Sequence, residues 1–125
     1  MKPRLLIVDD DAGTLQSLAR ALALEGYTTL SASSAARALE RLAEEPVDAV
    51  LSDVVMPGMD GLQLLQKLRE VAPHVPVVLM SGQASIDTAI QATRLGALDF
   101  VEKPVSLERL LLTLRGVAAI RAWLG

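Results

Sequence analysis

Leu5-Leu6-Ile7-Val8-Asp9-Asp10-Asp11 and Ala49-Val50-Leu51-Ser52-Asp53 are the two stretches whose reading decides the fold. Each is a short aliphatic run that stops at a charge, the pattern of a strand buried on both faces of a parallel sheet. Open α/β sheets bind ligands outside the carboxyl ends of their strands, where the strand order reverses, so each run should end where a loop opens toward a ligand. Asp9, Asp10 and Asp53 are then expected at one edge. Unit charges ~4 Å apart cost roughly 4 kcal/mol at an effective dielectric near 20, so three ionised carboxylates in one place call for a cation between them. The reading is a divalent-metal site.

Along the whole chain, apolar runs alternate with helical patterns five times, the signal of a parallel sheet wrapped by helices. Strands are expected near Arg4 to Val8, Thr28 to Ser31, Ala49 to Ser52, Val77 to Met80 and Asp99 to Glu102. Between them, helical spacing links Leu15, Leu18, Ala19 and Leu22, then Ala35, Ala38, Leu39 and Leu42, then Leu62, Leu65 and Leu68, then Ile86, Ala89, Ile90 and Thr93. A last helix from about Ser106 to Trp123 carries Leu107, Leu110, Leu111, Leu114, Val117 and Ala118 on one broad face. Gly26, Gly58, Gly61, Pro73, Pro76 and Gly96 fall at the boundaries. Right-handed crossovers leave few arrangements of this string, and the expected fold is a five-stranded, doubly wound α/β domain.

The chain has 125 residues, which suits one domain with a sizeable core, and 51% of them are hydrophobic with one Phe, one Tyr and one Trp, so that core is aliphatic. Cysteine is absent, which excludes a disulfide framework and thiol chemistry. Asp9 interrupts the first apolar run too early for a secretory signal, and no run reaches membrane-spanning length, so a soluble cytoplasmic protein is expected. A net charge of -3 with scattered Lys and Arg argues against direct nucleic-acid binding, which needs a basic face.

Taken singly, the candidate residues have ordinary explanations. Asp9 or Asp10 could cap the helix that starts near Gly13, and Asp53 could serve the turn at Pro57-Gly58. Successive strand residues point to opposite faces, so the first strand has to end between Asp9 and Asp10 if both are to reach one ligand. Ser81 could be a turn former and Lys103 a solvated lysine. Together, however, four strand ends deliver three carboxylates, a hydroxyl and an ammonium to one edge, the set that a phosphoryl group on a metal requires. His74 stands between Pro73 and Val75 without a spaced partner and reads as a surface residue.

Four segments in order, Leu5 to Asp11, Asp53-Val54-Val55-Met56-Pro57-Gly58-Met59-Asp60-Gly61, Met80-Ser81-Gly82 and Asp99-Phe100-Val101-Glu102-Lys103-Pro104, resemble the receiver domain of bacterial two-component response regulators over nearly the whole chain. The resemblance implies a flavodoxin-like sheet of strand order 2-1-3-4-5 with five helices. It implies that Asp53 is the phosphoacceptor, that Asp9, Asp10 and Asp53 bind Mg²⁺, that Lys103 senses the phosphate, and that Ser81 and Phe100 are the switch hydroxyl and switch aromatic. Where the family often has Thr and Tyr, this chain has Ser81 and Phe100, so a hydroxyl is kept at the first position and lost at the second. Val55 and Gln83 resemble positions that tune dephosphorylation, and Lys103-Pro104 resembles the family's cis peptide.

The resemblance further implies a sensor histidine kinase or phosphotransfer protein as donor, and a signalling role rather than enzymatic turnover. The segment from Ser81 to Phe100 is most similar to the receivers of sigma-54-dependent transcription regulators. Two rival readings match the sequence less well. Asp9 to Leu15 nearly spells the start of a haloacid-dehalogenase-type phosphohydrolase, but Ala12 is an extra residue and no acidic metal motif follows Lys103. A flavin-binding protein lacks the Ser/Thr-rich phosphate loop and the flanking aromatics. The last helix stays apolar through Leu124, with Arg115 and Arg121 on the polar side and Trp123 near its end. This suggests that residues 1–125 are the amino-terminal receiver of a longer regulator and that they dimerise through this helix on phosphorylation.

Overall fold

The computed structural model describes residues 3–83 and 85–124, and the side chains of its last helix through residue 116. Five strands, β1 (Arg4–Val8), β2 (Thr28–Ala32), β3 (Ala49–Asp53), β4 (Val77–Ser81) and β5 (Asp99–Glu102), alternate with α1 (Ala12–Leu24), α2 (Ala35–Glu44), α3 (Gly61–Val71), α4 (Ile86–Arg94) and α5 (Leu107–Leu124). All neighbouring strands are parallel, in the order β2-β1-β3-β4-β5, as the resemblance implied. The order reverses between β1 and β3, which places the ends of those two strands at the crevice where such sheets bind ligands.

Alternation along the central strands sorts the core into two layers. Leu6, Val8, Val50 and Leu79 pack on Leu64, Leu65, Leu68 and Ala92, the α2, α3 and α4 side. Leu5, Ile7, Leu51 and Met80 pack on Leu22, Leu110 and Leu114, the α1 and α5 side. Each helix starts at a side-chain cap: Asp11 for α1, Ser34 for α2, Asp60 for α3, Ser85 for α4, and for α5 Ser106, whose hydroxyl accepts from the Arg109 amide at 3.3 Å. The cap of α1 is thus Asp11, which leaves Asp9 and Asp10 free of that duty.

The expected α4 stripe does not face the core. Ile86 is 80% exposed and Ile90 44% exposed, while Ala92 is the residue α4 buries. The helix is short and sits against the sheet through its small side, so its larger apolar groups stay outside. On α5, Leu110, Leu111 and Leu114 are buried as expected and Leu107 is partly buried. The expectations placed on Val117, Ala118, Arg121 and Trp123 concern side chains outside the described residues.

Candidate functional site

β1 closes at Val8, and the amide of Asp9 still bonds the Ala32 carbonyl of β2 at 3.1 Å, which holds Asp9 in line with the strand. The Asp11 amide then donates back to Asp9 Oδ1 at 2.9 Å, an Asx-type turn that carries the chain out of the sheet. Asp9 stays buried and Asp10 is left exposed. The strand ends at Val8 as expected, Asp9 still follows its line, and the turn that opens between Asp9 and Asp10 lets both serve one site. Asp11 turns to α1, accepting from the Thr14 amide at 3.0 Å and its hydroxyl at 2.6 Å. Those bonds hold the Asp11 carboxyl below the usual carboxylate range.

β3 includes Asp53 as its last residue, and the following amide of Val54 bonds Met80 O of β4 at 2.9 Å. One ligand atom from each of Asp9, Asp10 and Asp53 lies within 4.8 Å of the others. Directly after β5, the Lys103 ammonium reaches Asp9 Oδ2 at 2.7 Å and Asp53 Oδ2 at 3.2 Å. Its own amide is anchored to Ser81 O at 2.8 Å, and the next peptide bond, Lys103-Pro104, is cis. Ser81 ends β4 and is buried, with its hydroxyl accepting from the Gln83 amide at 3.1 Å. The turn role of Ser81 and its place at the site edge are thus compatible.

Burial, and after it the charge of Asp9, push the Asp53 carboxyl above its ordinary range even though Lys103 pulls the other way. For Lys103, burial favours the neutral amine, but the hydrogen bonds and charges of Asp9 and Asp53 together outweigh it and raise the ammonium's pKa. One ammonium thus faces three carboxylates. The donor set is all oxygen and rich in negative charge, which fits a hard divalent cation such as Mg²⁺.

Phe100 is half-buried and packs against the α2, α3 and α4 side of the core, so core packing is one of its roles. Its carbonyl and the Asp99 carboxylate lie 3.4 and 3.0 Å from Arg109 Nη2 on α5, and Thr113 donates to Asp99 at 2.9 Å. Arg109, Thr113 and Asp99 thus link β5 to α5, a connection the sequence reading did not include; only the recurrence of polar residues on the α5 face toward β5 could have hinted at it. Val55 is 63% exposed beside Asp53. His74 is exposed and lies in the turn between α3 and β4, away from these residues.

A family described as "Response regulator receiver domain" matches residues 5–115. The chain is 42% identical over 106 residues to the transcriptional regulatory protein GlrR of Escherichia coli (strain K12), covering 85% of this chain and 24% of that protein. It is 42% identical over 111 residues to the response regulator protein FleR of Pseudomonas aeruginosa, covering 89% and 24%. The solution structure of the beryllofluoride-activated NtrC4 receiver domain dimer superposes with a TM-score of 0.86 at 36% identity, covering 91% of this chain and 94% of that one. The chain spans about a quarter of the length of the curated relatives named here.

Proposed function

The chain belongs to the response regulator receiver domain family, and from that premise we propose that it is a phosphoryl-accepting switch whose acceptor is Asp53. The single observation that carries this reading is the Lys103 ammonium set 2.7 and 3.2 Å from two buried carboxylates of different strands, with Asp10 completing the acidic cluster. A structural ion pair needs one carboxylate. A site for a phosphoryl group needs what is here: an attacking carboxylate, acidic ligands for a cation, and a lysine and a hydroxyl for the phosphoryl oxygens.

In this reading a sensor histidine kinase or phosphotransfer protein presents a phosphohistidine at the crevice. An oxygen of Asp53 attacks phosphorus, the P–N bond breaks as the P–O bond forms, and the electron pair stays on the imidazole. Asp9, Asp10 and Asp53 would hold Mg²⁺, and the ion would offset charge on the phosphoryl oxygens. Lys103 turns from the carboxylates to the phosphoryl group, and the Ser81 hydroxyl donates to it. The movement of Ser81 frees Phe100 to turn inward, and the pair bias the face made by α4, β5 and α5. Ile86, Ile90, Leu98 and Leu112 are exposed there, and this apolar surface, which a phosphorylation-dependent homodimer would bury, supports the reading.

The output is transcription regulation by a longer cytoplasmic regulator of which this chain is the amino-terminal receiver, most similar to those of sigma-54-dependent activators. The domain transfers a phosphoryl group to itself and off again, and is not an enzyme acting on other substrates. No helix among the described residues is long and apolar enough to cross a membrane. To test the reading, the chain is incubated with acetyl phosphate with and without Mg²⁺ and followed by intact mass and sedimentation. One phosphoryl group is expected, only with Mg²⁺, together with dimerisation; Ser81→Ala is expected to take the group and remain a monomer. Sustained turnover of a phosphate ester without a phosphorylated protein would favour a phosphohydrolase instead.

A further inference from the structure

Gly61, the first residue of α3, is buried, and a Cβ there would fall 2.3 Å from the Asp53 carbonyl oxygen, 2.8 Å from Val54 Cα and 3.0 Å from the Asp53 carbonyl carbon. All three neighbours are backbone atoms, so no side-chain rotation relieves the clash. Backbone conformation is not the reason for this glycine: Gly58 in the preceding turn has φ +76°, whereas Gly61 has no positive φ. The constraint at Gly61 is closeness alone.

That closeness is reinforced on both sides. The Gly61 amide donates to Val54 O at 2.8 Å, and the fully buried Ser52 hydroxyl donates to Asp53 O at 2.9 Å. α3 itself is held firmly, by the Asp60 and Gln63 capping box at its start and by Leu64, Leu65 and Leu68 in the core. The peptide that follows Asp53 is therefore gripped between its own strand and the first turn of a well-anchored helix.

We propose that Gly61, supported by Ser52, is a positioning residue for Asp53: its missing side chain lets α3 seat against the Asp53-Val54 peptide and so sets where the Asp53 carboxylate stands. The role rests on the reading of Asp53 as the phosphoacceptor. Ordinary contact begins near 3.4 Å, so a methyl group at Gly61 forces a shift of about 1 Å between helix and strand. Near a reacting group, a misplacement of about 1 Å costs roughly 100-fold in rate.

The test compares the wild-type chain with Gly61→Ala, Ser52→Ala and Leu22→Ala, the last a core truncation on the opposite face of the sheet. Initial rates of phosphorylation by acetyl phosphate at saturating Mg²⁺ are measured beside metal-free amide resonances of Asp53 and Val54 and the melting temperature. Gly61→Ala is expected to slow transfer by about tenfold or more and to move both resonances, and Ser52→Ala to slow it by about threefold. Leu22→Ala is expected to melt earlier with transfer unchanged. A folded Gly61→Ala within twofold of the wild-type rate overturns the role, as does a Leu22→Ala chain slowed equally. If Gly61→Ala does not fold, Ser52→Ala decides, and an unaltered rate with unaltered resonances overturns the role. A wild-type chain that is never phosphorylated on Asp53 overturns the acceptor reading, and this role with it; a phosphorylated wild type matched by Gly61→Ala overturns the role alone.

Discussion

At the amino-terminal end of the sheet, Arg4 faces Glu45 at 3.5 Å with both side chains about half in solvent, and Asp48 accepts the Arg4 amide at 2.7 Å. At the carboxyl end, Asp9 and Asp53 are almost wholly buried, and they share the single ammonium of Lys103 while Asp10 stands nearby. The first end pairs opposite charges in water, where they are screened and worth little. The second concentrates like charge where screening is weak, an arrangement that stability alone would not favour. Charge placed against the interest of the fold marks this end of the sheet as the candidate for chemistry.

The largest way to break this contrast is Asp10→Ala. Asp10 is exposed and holds no part of the fold together, so its loss relieves repulsion and leaves the chain folded. Phosphorylation by acetyl phosphate with Mg²⁺ is expected to fall by about 100-fold or more, since even groups that only orient metal ligands cost 10–100-fold. An undiminished rate would remove Asp10 from the metal site.

Next in size is Lys103→Met. With the ammonium gone, Asp9 and Asp53 face each other uncompensated, and urea unfolding without divalent cations is expected to show a loss of about 3 kcal/mol. On the proposed reading Mg²⁺ binds the folded chain only, so adding it should restore part of that loss. A variant as stable as wild type without metal would mean that the cluster is less charged than described.

pH sharpens the contrast further. Asp53 has its folded pKa raised by burial and by Asp9, so its protonated form favours the fold; that contribution is present at low pH and is lost as pH rises through the raised value. Asp53→Asn is therefore expected to melt higher than wild type at neutral pH, with the gap closing on acidification. Because the attacking carboxylate has to be ionised, phosphorylation should fail on acidification while ordinary carboxylates are still charged. Carbon-detected NMR titration checks the cause directly, and an Asp53 that titrates within or below the usual carboxylate range would contradict it. The smallest expected effect belongs to the other end: Arg4→Ala should cost less than about 1 kcal/mol and leave phosphorylation unchanged.

Much of this was legible in the chain. Runs such as Leu5 to Val8 and Val77 to Met80 name their strands within a residue, because a strand buried on both faces has to be continuously apolar. The motif segments also named the residues that meet, although Lys103 and Asp9 are 94 residues apart. Other features depend on the packed form. Nothing in the periodicity of Ile86, Ala89 and Ile90 says that α4 would bury Ala92 and expose its larger groups, since an apolar stripe looks the same whether it faces the core or a partner. The choice of Asp11 as the cap of α1 turns on which of three neighbouring aspartates first meets a free helix amide. Gly61 read as boundary punctuation and as the end of a motif segment, without a role, and its contact with Asp53 exists only once α3 docks.

The claim on which the rest depends is that the unbalanced charge at the carboxyl end is a phosphoryl-accepting site centred on Asp53. Peptide mapping of the chain after reaction with acetyl phosphate and Mg²⁺ tests it most directly. The modification should lie on Asp53 alone and be absent from Asp53→Asn; a phosphoryl group on His74 or on another carboxylate, or one that persists in Asp53→Asn, would contradict it.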